Sequence, residues 1–542
     1  MKKFRLNEWL VAAIIAVSYA GINSLEVIIE WLKNPPGATF IGIAHYYADF
    51  FLYVAQMAEG AAGHLWYTHR FTDEPLRATW IYWFNNLLGW LGHFFGLPPF
   101  TTYNIALFIL VVFLALSVFY VFKLIYPASP IKRWLGFLFF LFSAPFIDLP
   151  ALFGHGTVKL SDYLWFSPLL PLNRFGGVPH QIWQTVLLVF LSLSFTGLVD
   201  RKKSSQINVL IKYSLFIALT ILATTSNPIT MLVFVISALI VNLGSAIRRK
   251  SLRALAPFIL LAVVSLPFAL LTNREFDSSP IFTVSKLWEI TQYVDKNLLH
   301  FGESLGALGI FILPGFFLRK GRPLLATFLI IFSLMSSGLF FSQIPALLST
   351  TPIRYLSPFG FLGLAVLGVD GLGTVSKLRP KLRLDLVFGS LILLMSAPAF
   401  AIQVTNRLVP DKNPLQLLNY IYNHVPAPLV RGLIYLGRQP GDPQKPVVLV
   451  DAHYRIEVLV PAFADKTVFS GHPLHTLNPD LKEKLRQNFF DNRLTPAQAA
   501  NFLASHRIGY IITGTNGEPY FAVFPFIREI FHNSAMRIFK VK

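Results

Sequence analysis

Long apolar runs recur through the first 403 residues of this 542-residue chain. Each run has about the length that an α-helix needs to cross roughly 30 Å of hydrocarbon in a bilayer. The runs lie near residues 9–29, 103–125, 134–150, 180–199, 208–225, 229–246, 254–271, 304–318, 323–342, 353–373 and 385–403. We therefore predict a mainly α-helical transmembrane bundle with about eleven spans, residues 1–403.

Composition supports lipid rather than water as the main solvent of this chain. Only 13% of its residues are charged and 54% are hydrophobic, whereas soluble domains carry about 25% charged residues. The net charge of +19 comes from short clusters between apolar runs rather than from a basic stripe, so no nucleic-acid partner is expected. The absence of cysteine excludes disulfides, thiolate zinc sites and cysteine nucleophiles.

The basic clusters predict the orientation of the spans, because Lys and Arg concentrate in cytoplasmic loops. The clusters are Lys2, Lys3, Arg5; Lys123, Lys132, Arg133; Arg201, Lys202, Lys203; Arg248, Arg249, Lys250, Arg253; Arg319, Lys320, Arg322; and Lys377, Arg379, Lys381, Arg383. Eleven spans with a cytoplasmic N-terminus place every cluster inside. The long loops 30–78, 151–179 and 272–303 then lie outside, as does everything after the last span.

Residues 80–98 are the main ambiguity in this topology. They read WIYWFNNLLGWLGHFFGLP, and a twelfth span here would invert every later loop. Asn85, Asn86 and His93 interrupt the apolar run, and Trp and Tyr favour membrane interfaces. We therefore predict an interfacial or re-entrant helix on the outer face.

The composition changes after about residue 404, where charges and prolines rise and no further span-length run appears. Short strands are predicted at Val447–Val450 and Tyr510–Thr513, and helices after Asn478 and Thr495, each with proline in its first turn. This alternation predicts a small extracytoplasmic α/β domain over residues 404–542. Because it contains no phosphate-binding glycine loop and no nucleophile elbow, a role as a lid or docking module is favoured over catalysis.

The first outer loop carries the most informative polar residues. In residues 45–75, read as a helix, Asp49, Gln56 and Glu59 share one face, and His45 lies one turn before Asp49. Because the other face is aromatic and apolar, the pattern predicts an amphipathic helix lying on the outer membrane surface.

Asp49 is the strongest catalytic candidate in this loop. A carboxylate beside apolar groups is expected to have a raised proton affinity, which suits a general base. The same carboxylate is also a candidate ligand for a divalent cation, and a solvated or helix-capping aspartate is the ordinary alternative. We predict that His45, Gln56 and Glu59 bind substrate beside it.

Further candidates lie in later outer loops. His155, Asp162 and Arg174 belong to a polar set in the second loop that has no fixed metal-ligand spacing, and ordinary loop residues are the alternative. Arg354 and Tyr355, in TPIRYLSP, begin the tenth predicted span. The guanidinium of Arg354 either contacts a phosphate, whose oxygens it matches, or extends to the lipid headgroups.

The chain resembles the GT-C class of membrane glycosyltransferases in architecture. The resemblance rests on the span number, the acid of the first loop, the aromatic segment 80–98 and the outward C-terminal segment. In sequence it is limited to the stretches HYYADFFLYVAQMAEGAAG…FTDEP, RYLSP and VFSGHPLHTLNPDLKEKL, which are similar to those of uncharacterised bacterial relatives.

This resemblance implies transfer of a sugar from a polyprenyl-phosphate donor to a glycan, lipid or protein acceptor, at the outer face of a bacterial plasma membrane. Asp49 would be the base or metal ligand, and Arg354 would meet the donor phosphate. The chain departs from the class pattern, because its first loop has no Asp-x-Asp pair and it has no WWDYG-like motif. These departures put a divalent cation in doubt and argue against oligosaccharide transfer to asparagine.

Two other functions remain open from the sequence. A transporter or flippase of lipid-linked glycans would suit a multi-span bundle, although transporters favour internal repeats and none is evident. A non-catalytic scaffold of envelope assembly would also fit, because no second clear acid accompanies Asp49.

Overall fold

The computed structural model describes residues 7–43, 45–148, 151, 153–154, 156, 159–161, 167–200, 206–318, 321–408, 421–440, 444 and 446–542. The chain forms two compact units. The membrane unit comprises Met1–Asn23, Leu107–Arg274 and Trp288–Leu408, and the sheet unit comprises Ser24–Ala106, Glu275–Leu287 and Val409–Lys542. The segment predicted as a separate C-terminal domain thus shares a unit with most of the first loop.

The described residues contain eight helices that are long and apolar enough to cross a bilayer. They are Pro99–Ile125, Pro179–Asp200, Val209–Ser226, Pro228–Arg249, Leu252–Ser278, Leu324–Phe341, Pro358–Ser376 and Leu384–Leu408. Two bent pairs raise the number to ten if each is one span: Glu8–Asn23 with Leu25–Leu32, and Leu298–Ser304 with Gly306–Phe317. The predicted multi-span helical bundle is confirmed.

The span number is lower than eleven because the run at 134–150 does not form a long helix. Its helix, Pro130–Phe142, has 13 residues, about 20 Å, against the roughly 30 Å of a bilayer core. Ser129 caps its start, and the chain becomes extended at Ser143. Ala144 precedes Pro145, and a residue before proline disfavours the helical conformation.

Shorter helices complete both units within the described residues. Those wholly in the membrane unit include Pro171–Phe175, Gly309–Leu318 and Ile344–Leu347. Those of the sheet unit are Tyr47–Ala61, Trp83–Phe94, Ala427–Arg438, Leu459–Ala464, Pro479–Phe490 and Pro496–Ser505, and Pro280–Thr291 begins there. The helix Trp83–Phe94 has 12 residues, which agrees with the prediction that segment 80–98 does not cross the membrane.

The helix Pro358–Ser376 is the most enclosed of the membrane unit. A Cβ atom on its Gly371 would lie 2.0 Å from the carbonyl oxygen of Phe311, so only glycine permits this backbone approach to the helix Gly309–Leu318. Small residues at such contacts are the usual means by which helices pack in membranes.

A buried ion pair lies beside that contact. The Asp370 side chain is 1% exposed and accepts hydrogen bonds from Arg322 Nε at 2.9 Å and from the Tyr126 hydroxyl at 2.8 Å. Ionisable groups inside a helical bundle are costly unless they are paired. The pair therefore joins three segments of the membrane unit that are distant in sequence.

The sheet unit contains two sheets among its described residues. Strands β1 (Ala38–Phe40) and β2 (His424–Pro426) pair antiparallel. A five-stranded sheet has the order β4-β3-β5-β7-β6, with bounds β3 Val447–Val450, β4 Thr467–Val468, β5 Ile508–Thr513, β6 Ile527–His532 and β7 Arg537–Val541. Strand β3 pairs parallel with both β4 and β5. Strand β7 pairs antiparallel with both β5 and β6.

Several predicted elements of the C-terminal segment are confirmed. The strands at 447–450 and 510–513 are present, the second beginning at Ile508. The helices start at Pro479 and Pro496, and Thr495 forms a capping box with Gln498. Apolar residues from these helices and from β3, β5 and β7 make one core, including Leu449, Phe489, Phe502, Ile511 and Phe539.

The predicted helix of the first loop exists as Tyr47–Ala61, hereafter the first-loop helix. Its predicted position on the membrane surface is wrong, because residues of both faces are buried in the sheet unit, among them Phe51, Val54, Gln56 and Glu59. The sequence pattern shows that one face is polar, but not that the polar face also has a protein partner.

We expect Asp370→Leu to destabilise the membrane unit by about 2–4 kcal/mol, because it leaves the partly buried guanidinium of Arg322 without its carboxylate. The double variant Arg322→Met/Asp370→Leu should recover much of this loss. Thermal unfolding of detergent-solubilised protein measures both. Equal melting temperatures for the single variant and the native chain would contradict the assignment.

Candidate functional site

Asp49 lies in the first turn of the first-loop helix, where the helix dipole favours a carboxylate. The helix is held against the helix Trp83–Phe94 by a backbone contact without intervening side chains. A Cβ atom on Gly60 would lie 1.9 Å from the carbonyl oxygen of Asn86, and one on Gly89 would lie 1.9 Å from that of Met57. Two glycines therefore fix the helix that carries Asp49.

The Asp49 carboxylate meets a histidine from the C-terminal segment. Its Oδ1 lies 3.3 Å from Nε2 of His472. The aspartate side chain is 38% exposed, whereas the histidine side chain is 2% exposed. The pair thus presents a half-exposed carboxylate backed by a buried ring, an arrangement suited to a group that must reach a substrate.

A compact turn after β4 positions His472. The Thr476 hydroxyl accepts hydrogen bonds from the backbone N–H groups of Gly471 and His472, and donates to the carbonyl oxygen of Phe71. The backbone N–H of Val468 also donates to the carbonyl oxygen of Arg70. The first loop and the C-terminal segment are therefore hydrogen-bonded to each other immediately beside His472.

Two further buried histidines pack near His472. The rings of His472 and His475 meet edge to face with centroids 4.8 Å apart, and His475 lies 6.4 Å from His69. Burial lowers the pKa of His69 to about 4 and holds the pKa of His475 well below its ordinary value, with His472 and His69 adding to the second effect. Both rings are neutral near pH 7, so they supply no positive charge.

Tyr46, at the start of the first-loop helix, remains a neutral hydroxyl beside Asp49. Burial, with smaller contributions from neighbouring Tyr47 and Asp49, raises its pKa to about 12. The ring of Tyr47 packs on Tyr46 and stacks on Tyr422 with centroids 4.9 Å apart. The half-exposed carboxylate therefore lies next to an aromatic surface.

A buried lysine joins the FTDEP turn to the C-terminal segment. Lys482, with a side chain 4% exposed, forms ion pairs with Asp73 and Glu74 and donates to the Thr72 hydroxyl at 2.8 Å. His506 Nδ1 lies 2.7 Å from the other oxygen of Asp73. These acids therefore stabilise the unit in which Asp49 and His472 meet.

The other predicted first-loop residues serve the packing of the sheet unit. Glu59 is 1% exposed and accepts hydrogen bonds from Arg70 Nε and from the backbone N–H of Thr68, each at 2.7 Å, although burial still raises its pKa. Gln56 is fully buried and accepts a hydrogen bond from Asn85 at 2.6 Å.

His45 is the remaining first-loop candidate. It is partly exposed, its ring stacks on Tyr53 and Tyr103, and its Nδ1 lies 3.3 Å from the Tyr103 hydroxyl. Of His45, Gln56 and Glu59, only His45 keeps surface that a substrate can reach.

Arg174 lies in the membrane unit and is 1% exposed. Its guanidinium donates to the backbone carbonyls of Pro168, Leu169, Phe139, Phe140 and Ser143. Three of these carbonyls belong to the end of the helix Pro130–Phe142, where carbonyls lack helical partners. The geometry favours a structural role, and we do not retain Arg174 among the proposed substrate-binding residues.

Arg354 lies in the turn Pro352–Tyr355 of the membrane unit, before the helix Pro358–Ser376. Its side chain is 44% exposed and forms a two-pronged ion pair with Glu289, with Nε to Oε2 at 3.0 Å. Tyr355 is fully buried, and its hydroxyl lies 3.3 Å from that of Thr350. Arg354 is therefore accessible and Tyr355 is not.

Two predicted site residues, His155 and Asp162, lie outside the described residues. Within the described part of the chain, no group of three or more His, Cys, Asp or Glu side chains is placed to hold a metal ion. The possible role of Asp49 as a metal ligand stays a prediction.

Sequence reasoning missed His472, His475 and His69 as neighbours of the site. His472 follows Asp49 by 423 residues, and no local periodicity links them. One signal was present: GHPLHT lies in a stretch that resembles the GT-C class, as does the first loop. Two separate stretches with the same resemblance indicate residues that meet in space.

Comparisons with known proteins bear on the fold. No protein-family model matches the chain, and no curated protein is similar to it in sequence. A structure of the arabinofuranosyltransferase AftD from Mycobacteria covers 100% of this chain with a TM-score of 0.54 and 14% identity. This chain spans 42% of the length of AftD.

Two other solved structures align over nearly the whole chain. The oligosaccharyltransferase of Archaeoglobus fulgidus covers 95% of this chain and 70% of its own, with a TM-score of 0.50 and 14% identity. ArnT of Cupriavidus metallidurans, bound to undecaprenyl phosphate, covers 98% and 97% at 11% identity, with a TM-score of 0.48. The AftD and oligosaccharyltransferase alignments confirm a GT-C-like fold. The eight long apolar helices of the described residues support an integral, multi-pass membrane protein.

We expect Lys482→Met to lower the free energy of unfolding by about 3–5 kcal/mol, because it leaves buried Asp73 and its neighbour Glu74 without their cation. Lys484→Met, an exposed lysine of the same helix, is the matched control and should be neutral. Urea unfolding of the detergent-solubilised protein measures both. Equal stability of the two variants would contradict the conclusion that the ion pairs of Lys482 stabilise the fold.

The same ion pair predicts a pH dependence. Burial raises the pKa of Asp73, but hydrogen bonds from His506 and Lys482 outweigh it, so the pKa lies below the ordinary 3.8. A lowered folded-state pKa stabilises the fold above that ordinary value, and the contribution is lost as pH falls through the folded pKa. In Lys482→Met the stabilising contribution of Asp73 should be lost at a higher pH than in the native chain.

Proposed function

We propose that this protein is a membrane glycosyltransferase that moves a sugar from a polyprenyl-phosphate donor to a hydroxyl of a glycan, lipid or protein acceptor. The proposed site of action is the outer face of a bacterial plasma membrane. The observation that carries the proposal is the half-exposed Asp49 carboxylate, held by a buried histidine in a chain with a GT-C-like fold. Because fold alone does not determine function, the chemistry of this site supports the proposal more than the fold does.

Asp49 is the proposed general base. Its carboxylate would accept the proton of the acceptor hydroxyl as that oxygen attacks the anomeric carbon of the donor sugar. A new glycosidic C–O bond forms while the bond between the anomeric carbon and the phosphate oxygen breaks. The polyprenyl phosphate leaves with the bonding electron pair.

Arg354 is the proposed contact for the donor phosphate. Its guanidinium is accessible, and its planar fork matches phosphate oxygens as well as the carboxylate of Glu289 that it binds in the structure. A phosphate would share or displace that carboxylate. Glu289 would then keep the guanidinium oriented while the site is empty.

The transporter alternative gains no specific support from the described residues. Asp370 is an acid inside a candidate span, as transporters often have, but it is enclosed and paired with Arg322 and Tyr126. Asp49, by contrast, is an accessible carboxylate of the sheet unit, 38% exposed. A catalytic role at that position explains its exposure better than ion passage does.

Asp49→Asn should abolish sugar transfer, with a loss of at least about 100-fold, because the amide cannot accept the proton. Asp480→Asn, an exposed acid in the first turn of another helix of the sheet unit, is the matched control and should transfer normally. A panel of radiolabelled polyprenyl-phosphate pentoses and hexoses, tested with purified protein and cell-envelope acceptors, provides the assay.

An Asp49→Asn variant that is folded and as active as the native protein would overturn the base assignment. If the native protein transfers no sugar from any donor of the panel while it carries lipid-linked glycans across vesicle membranes, the flippase alternative replaces the proposal.

Arg354→Gln should raise the KM for the polyprenyl-phosphate sugar about 10-fold or more with a smaller change in kcat, because the phosphate loses a charged, two-pronged partner. Arg274→Gln, an exposed arginine of another predicted outer loop, is the control. Glu289→Gln, which frees the guanidinium from a competing carboxylate, should not raise this KM. An unchanged KM in Arg354→Gln would contradict the phosphate assignment.

A further inference from the structure

We propose that His472, from the C-terminal segment, is a positioning residue for Asp49: a neutral ring with one fixed tautomer whose Nε2–H holds the carboxylate ionised and oriented. This inference rests on the proposed function for its kinetic consequences, but its geometric content is independent of it. It makes the C-terminal segment a part of the active site rather than only a lid or docking module.

The tautomer follows from the hydrogen bonds of the ring. The backbone N–H of Leu474 donates to Nδ1 of His472 at 3.1 Å. A nitrogen that accepts a hydrogen bond carries no proton, so the single N–H of a neutral ring must be on Nε2. That nitrogen lies 3.3 Å from Oδ1 of Asp49, and the ring therefore donates to the carboxylate.

The surroundings keep the ring in place. His472 packs edge to face on Phe71 and on His475, and its backbone N–H is held by the Thr476 hydroxyl. With a side chain 2% exposed, the ring has almost no surface for a substrate. It therefore acts through Asp49 rather than on the reacting atoms.

Three titratable neighbours of the pair, His475, His69 and Tyr46, carry no charge near pH 7. His475 and His69 are neutral because burial lowers the pKa of each. Tyr46, on the Asp49 side, has a pKa raised to about 12, and Tyr103 is a second electrostatic neighbour of Asp49. The Nε2–H of His472 is thus the donor from this cluster that favours the ionised carboxylate.

His472→Phe removes the donor and keeps the ring shape. We expect kcat to fall about 10-fold to 100-fold, as for a misplaced catalytic group, with an unchanged KM for the labelled polyprenyl-phosphate sugar. The acidic limb of the pH–rate profile should move to higher pH, because the ionised carboxylate loses a hydrogen bond. A purely structural ring would not move that limb.

Two variants separate positioning from packing. His472→Gln keeps an amide N–H near the position of Nε2 and should restore most of the activity and the native pH profile. His475→Phe, an equally buried neighbour with no hydrogen bond to Asp49 in the described structure, should keep both the rate and the profile. Melting temperatures of all variants verify that they fold.

A readout without catalysis keeps the inference testable on its own. In protein labelled with ¹³C and ¹⁵N histidine, the solid-state NMR signals that disappear in His472→Gln belong to His472. We expect a neutral ring with protonated Nε2 and bare Nδ1. A protonated Nδ1 would overturn the proposal.

The kinetic outcomes distinguish this inference from the proposed function. If Asp49→Asn is inactive while His472→Phe keeps the native kcat and acidic limb, His472 is not a positioning residue and the glycosyltransferase proposal stands. If Asp49→Asn is fully active, the base assignment fails, and the NMR tautomer alone decides the geometry of His472.

Discussion

The candidate site depends on the ion pairs that buried Lys482 forms with Asp73 and Glu74. The lysine ammonium neutralises Asp73 and Glu74 of the FTDEP turn, although it follows them by about 400 residues. Burying the charges of Lys482 and Asp73 is unfavourable unless they are paired, and removing the lysine leaves a buried carboxylate without a cation. Backbone bonds from Val468 and Thr476 to the carbonyls of Arg70 and Phe71 continue the same connection. The meeting of Asp49 with His472 is a consequence, because each lies only a few residues or one helix away from these contacts.

Buried charged and polar groups of the membrane unit also need partners within the protein, but those partners differ from the ones in the sheet unit. The polar groups of the membrane unit lie among apolar helices, so each requires a partner within the protein. Arg174 donates to the carbonyls of Phe139, Phe140 and Ser143 at the end of a helix that is too short to span, and Asp370 binds Arg322 and Tyr126. The accessible Arg354 differs, because its partner Glu289 is itself partly exposed. The exposed guanidinium of Arg354 can therefore exchange its partner, whereas the enclosed guanidinium of Arg174 cannot, although the sequence placed both in outer loops.

What could be predicted from the sequence follows the range of the interactions. Hydrophobicity and helix caps are local, so the spans, the strand at 447–450 and the helix starting at Pro496 were predictable. The predicted span at 134–150 is wrong because the helix ends at Phe142, shortly before Pro145. The mean hydropathy of the run does not reveal this helix end. The burial of Gln56 and Glu59 depends on the helix Trp83–Phe94 and on Arg70, and the contact of His472 with Asp49 spans 423 residues, so neither could be predicted from local sequence. Asp49 itself was recognisable because a lone acid in aromatic surroundings is unusual wherever its partners lie.

The surroundings of Asp49 also bear on its proposed role as a general base. A carboxylate in apolar surroundings tends to become protonated and inactive as a base, whereas a fully solvated carboxylate is a weak one. A neutral histidine donor stabilises the ionised form of the carboxylate. A positively charged donor would stabilise that form more strongly and so lower the basicity of the carboxylate further. Because Leu474 occupies Nδ1, the ring presents that donor in only one way. Because burial keeps His475 and His69 neutral near pH 7, the rings packed behind His472 add no positive charge of their own that would lower the basicity of Asp49.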